Sequence, residues 1–284
     1  MPAAAKTVFR PYRRRLVFTY TLSLTEFILE LMYPFTIGLA INGFIAGEGL
    51  VSIVPLTAVW IAQSAVGAFY QMGAARMVAR IYTDISGRLA LRDRVSQDAT
   101  SEVAARVTMV ENVGYALADV VPMLIGGIVT IVGSTVMLFL FDLRAGIVAL
   151  ALVAIIAGLQ WWFSVRAVDL NQKINTLRES QVSVVVSAIP ARITDYLRAL
   201  TRLKVKFKDV ETGVWTMADV FALAAILVVL YLVAGDGAYN AGAIYSMVAY
   251  VMNLTDSLEN APILVDEGAH LYDVASRVAA EVEP

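Results

Sequence analysis

Residues 10–42 read RPYRRRLVFTYTLSLTEFILELMYPFTIGLAIN. Lys6, Arg10, Arg13, Arg14 and Arg15 stand before the run Val17–Ile41, whose only charged residues are Glu26 and Glu30. A helix crosses a bilayer with about 20 mostly apolar residues. The run is long enough for that. It is too long for the apolar region of a secretory signal, and no small-residue cleavage site follows it. It reads as a retained first span, entered from a basic flank.

The same reading repeats down the chain. Further spans are expected at Val51–Val78, Tyr115–Phe141, Ala145–Val165, Val214–Ala234 and Gly242–Leu264. Asn42–Leu50, Asp142–Arg144 and Gly235–Ala241 form short polar breaks, with the Gly, Asn and Asp that turns require. The long charged stretches Ala79–Gly114 and Arg166–Gly213 keep helical apolar spacing, as in Val103, Val107, Val110 and in Leu197, Leu200, Leu203. As helical hairpins they would stand roughly 25–35 Å out of the membrane. The expected fold is all-α and polytopic. A single domain, residues 1–284, is expected to carry six spans and two long cytoplasmic hairpins.

Composition supports lipid as the solvent. Of 284 residues, 59% are apolar and only 16% charged, and the mean hydropathy is +0.70. Soluble domains sit near 45–50% and about 25%. The absence of cysteine excludes disulfides and thiolate chemistry. One histidine, His270, leaves too little for a Ser-His-Asp triad or a His-rich metal site. A net charge of −2 gives no reason to expect nucleic acid. With no nucleophile–base pair, metal set or cofactor fingerprint, neither an enzyme nor a cofactor is expected.

The charges orient the chain. Number the gaps between spans alternately, starting inside. Counting Arg76 at the inner end of the second span, every Lys and Arg except Arg144 then falls on the inner side. That is the asymmetry of the positive-inside rule. It predicts a multi-pass protein of the cell (inner) membrane with both termini cytoplasmic.

Charged groups inside a bilayer cost from about 2.5 to above 10 kcal/mol each, so they mark function. Glu26 and Glu30 are four apart and share a helix face. Ser23 and Tyr33 continue that polar stripe, and Pro34 is expected to kink the helix beside it. No Lys or Arg sits mid-span to pair with the glutamates. Proton coupling needs a carboxyl whose neutral form is favoured, and a low-dielectric site with a like-charged neighbour favours it. Glu26, Glu30 and, on the sixth span, Asp256 are therefore the coupling or substrate candidates. Gln63, Tyr70 and Gln71 on the second span, with Tyr245 and Asn253 on the sixth, are candidates for cavity lining. Asp119 and Asp219 read as interfacial ion-pair partners. Trp161, Trp162 and Trp215 read as interface-belt aromatics. Arg202, Lys204, Lys206 and Lys208 read as a solvated loop face.

The order of local motifs is similar to that of a known family. Arg10-Pro11-Tyr12 leads to a span ending Tyr33-Pro34-Phe35-Thr36-Ile37-Gly38-Leu39-Ala40-Ile41-Asn42. Phe141-Asp142-Leu143-Arg144-Ala145-Gly146 resembles an outer turn. Gly235-Asp236-Gly237, then Asn240-Ala241-Gly242-Ala243, resembles the entry to a sixth helix. Together these resemble the membrane domain of type IV ABC exporters over nearly the whole chain. The resemblance implies a domain-swapped homodimer, whose twelve helices enclose one central cavity. Two departures stand out. No G-x-x-x-x-G-K-(S/T) phosphate loop occurs in the sequence, so no nucleotide-binding domain is expected in it. The first inner loop is shorter than the family's and lacks its aromatic stretch.

The leading expectation is an ion (proton)-coupled secondary transporter of a small amphipathic or cationic solute or peptide. In build it is similar to bacterial peptide-uptake transporters that lack an ATPase. An alternative is the membrane subunit of an ABC transporter served by a separate ATPase chain. A third is a non-transport assembly, lipid-binding or receptor protein. Expected partners are the substrate, membrane lipid and a second copy of the chain.

Overall fold

The computed structural model describes residues 10–96, 108, 110–111, 113–186, 189–234 and 239–282. Lys6, Val103, Val107 and Gly235-Asp236-Gly237 lie outside the described residues. No strand occurs among those described. A 3-10 turn, Arg10–Tyr12, opens onto α1, Arg13–Leu31, and α2, Tyr33–Ile45, which share the first apolar run. A second 3-10 turn, Gly49–Ile53, leads into α3, Val54–Ser96. A π turn, Ala116–Val120, runs into α4, Val121–Phe141. Then come α5, Leu143–Glu179, the short α6, Gln181–Val186, α7, Pro190–Ala234, and α8, Ala241–Val282.

Among the described residues, five stretches are long and apolar enough to cross a membrane: Arg10–Ile45, Gly49–Gly87, Val113–Phe141, Leu143–Glu179 and Pro190–Val233. The sequence predicts six. The last helix falls short by that measure, because Asn253, Asp256 and Glu259 interrupt its apolar half. It is nevertheless central to the bundle, packing against α2, α4 and α7. Its Met247, Tyr250, Val251 and Leu254 are fully buried against Leu138 of α4, Ile156 of α5 and Val229 of α7.

The first run breaks at Met32. Pro34 has no N–H, so it cannot donate to the Glu30 carbonyl four residues back. The last helix covers this break. Tyr250 donates its hydroxyl proton to the Leu31 carbonyl at 2.9 Å, and Ser246 donates to the Pro34 carbonyl at 2.8 Å. Pro122 has the same effect at the start of α4, where Ala118 is the residue four back. Tyr70 of α3 donates to that carbonyl at 2.9 Å, and Tyr20 of α1 donates to the neighbouring Leu117 carbonyl at 3.0 Å. In a bilayer, freed backbone groups must find such partners.

Small residues set the helix spacing, as in membrane bundles generally. Gly38 of α2 meets Gly242 of α8 so closely that a Cβ on either would strike the other's backbone. The contact is locked at the end that holds Asn42 and Asn240. Asn42 donates from Nδ2 to Asn240 Oδ1, and the Gly242 N–H donates to Asn42 Oδ1, both at 2.8 Å. The α2–α3 turn uses Gly47 and Gly49 at φ +81° and +63°, a region that favours glycine.

The turn between α4 and α5 is a single residue. Asp142 caps α5 by accepting from the Arg144 and Ala145 N–H groups at 2.6 and 3.1 Å. Its other oxygen takes the Arg144 side chain at 3.1 Å and the Tyr239 hydroxyl. The α5 and α7 helices pack along each other; both pack against α8, and α5 also packs against α4.

Candidate functional site

A cavity of about 500 Å³ opens between α1, α4 and α8. Glu30 reaches it from the last turn of α1, just before the break. Asn253, Asp256, Ser257 and Asn260 reach it from α8, at the i, i+3, i+4, i+7 spacing of one helix face. Thr130 adds a hydroxyl from α4, and Phe27, Met123, Ile263 and Leu264 supply apolar wall. Gly127 leaves the room that Leu264 fills. Among the described residues the lining holds two carboxylates and no Lys or Arg.

Three of the residues singled out from sequence, Glu30, Asn253 and Asp256, thus meet at this wall. Glu26 does not. It turns to α3, where Gly67 lacks the Cβ that would strike its carboxylate. There Gln63 donates from Nε2 to Glu26 Oε1 at 3.5 Å. Tyr33 donates to Gln63 Oε1 at 3.0 Å, and its ring stacks on Trp60, centroids 5.0 Å apart and planes 20° apart. Ser23, one turn before Glu26, is fully buried, and its hydroxyl has no partner among the described residues. Tyr70 serves the backbone at Ala118 rather than the cavity. Gln71 and Tyr245 are exposed and outside the cavity lining. His270 falls within α8.

Sequence reading missed Thr130, Ser257 and Glu259. Ser257 sits four after Asn253, so helical spacing alone could have found it. Glu259 lies against Asp219 of α7, with Asp256 close by. Asp219 therefore has another carboxylate among its neighbours. Trp60 was also missed. It lies three before Gln63 and stacks on Tyr33 across the α2–α3 contact.

Outside the spans, electrostatics is clearest at Asp142. The Arg144 side chain and then the Tyr239 hydroxyl hold its carboxyl well below the usual carboxylate range. The Asp142 bond in turn raises the Tyr239 phenol.

Residues 5–242 match the family described as ABC transporter transmembrane region. No curated protein matches the chain.

Proposed function

The chain belongs to the ABC transporter transmembrane region family, and from that premise we propose that it is a proton-coupled secondary transporter. Its role is membrane transport. The proposed cargo is a small amphipathic or cationic solute or peptide. Two copies enclose one central cavity in the cell (inner) membrane, with both termini cytoplasmic. The observation that carries this reading is the meeting of Glu30 and Asp256 on one cavity wall that holds no basic residue. Carboxylates without a fixed counter-ion in a low-dielectric site exchange protons or bind cations. The chain moves solute and performs no covalent chemistry.

Family membership also supports a second reading, a membrane subunit driven by a separate ATPase chain. Cells separate the two. Transport by the expressed protein is measured after ATP depletion with the proton gradient held, and after a protonophore with ATP held. Loss with the protonophore alone supports proton coupling. Loss with ATP depletion alone moves the assignment to an ATPase partner.

A further inference from the structure

We propose a second, lateral subsite for a weakly hydrated organic cation, built between the first span and α3 by Glu26, Tyr33, Trp60 and Gln63. It deepens the transport reading and rests on it for the view that the occupant is cargo. None of the four lines the central cavity.

The stack comes first. Tyr33 and Trp60 lie face to face at 5.0 Å. Trp60 remains 55% exposed, so the stack presents an open aromatic plate. Tyr33 fixes the amide beside it, because its hydroxyl occupies Gln63 Oε1 and so turns the Gln63 amino group toward Glu26. Trp60, Gln63 and Gly67 fall on successive turns of one face of α3. Gly67 admits the Glu26 carboxylate to that face. Glu26 and Glu30 both lie close enough to act on the Tyr33 phenol. An aromatic plate thus sits two turns along α3 from the glycine that seats the carboxylate, with Gln63 between them and no Lys or Arg in the group.

That pairing selects chemistry. An aromatic face attracts a cation through its quadrupole, most strongly where water is excluded. A carboxylate supplies the opposite charge. A compact ammonium is strongly hydrated and is poorly matched to such a plate. A delocalised or aryl-substituted cation is weakly hydrated and stacks, as guanidinium does. Glu30 stands one turn from Glu26 and does line the central cavity. It connects the lateral subsite to the main chamber.

The test is direct binding to the purified chain in detergent, with no transport required. Tetraphenylphosphonium is the cationic probe and triphenylphosphine oxide the neutral one, measured by equilibrium dialysis. Saturable binding of the cation alone is expected. Trp60→Leu and Glu26→Gln should each weaken it about tenfold, while Trp161→Leu, on an exposed indole elsewhere, should leave it unchanged. Trp60→Leu removes an exposed side chain and keeps the test valid if Glu26→Gln fails to fold. Equal binding of both probes, or undiminished binding in Trp60→Leu, overturns the subsite. Cation binding that needs Trp60 and Glu26 without proton flux overturns the transport reading and leaves the subsite standing. Proton flux with binding indifferent to both residues does the reverse.

Discussion

The hydroxyl of Tyr250 donates to the Leu31 carbonyl, 2.9 Å away, at the break in the first span. Leu31 directly follows Glu30, so the carboxylate on the cavity wall is tied to the last helix through one buried bond.

Tyr250→Phe keeps the ring and removes the bond. Tyr250 is fully buried, so the Leu31 carbonyl would lose its partner away from water. A cost of about 1–3 kcal/mol is expected. Equilibrium unfolding in detergent measures it. Unchanged stability would show that the break supports itself.

Gly242→Ala should be far more damaging. Its Cβ would meet the Gly38 carbonyl and Asn42, and the two helices would have to part. Gly158→Ala is the matched control, since nothing lies within 4 Å of a Cβ there. That change should stabilise by about 0.5–1 kcal/mol through helix propensity. Thermal melts of the purified variants should move in opposite directions. Equal shifts would contradict the close α2–α8 crossing.

The α4–α5 turn should show a pH signature. The Asp142 carboxyl titrates below its ordinary range because Arg144 and Tyr239 hold its charged form. A depressed carboxyl stabilises the fold above its unfolded pKa of about 3.9 and loses that stabilisation as pH falls through the folded value. Wild type should therefore be more stable than Asp142→Asn at neutral pH. The gap should narrow as pH drops below about 5. A gap constant from pH 7 to pH 3 would rule the ion pair out as its source.

Much of this arrangement was legible in the sequence, and the limits are physical. Basic flanks and apolar runs located five of the six expected spans, because bilayer thickness fixes helix length. Pro34 was expected to bend the first helix, and the helix breaks beside it. The polar stripe was only half right. Ser23, Glu26 and Glu30 follow helical spacing, yet Glu26 turns to α3 while Glu30 turns to α4 and α8. Spacing states which residues share a face. It does not state which neighbour that face meets, and a face shared by two grooves divides between them. Partners distant in the chain were not legible for the same reason. Asn42 with Asn240, Tyr250 with Leu31 and Tyr33 with Trp60 are products of the packing.

The central claim is that the cavity carboxylates couple proton movement to transport, and proton flux tests it most directly. The purified chain is reconstituted in liposomes holding a pH-sensitive dye. A pH gradient is imposed, and cationic peptides and dyes are added in turn. The account predicts substrate-dependent proton flux in the wild type and its loss in a folded Glu30→Gln variant. Undiminished flux in the Glu26→Gln, Glu30→Gln double variant would contradict it.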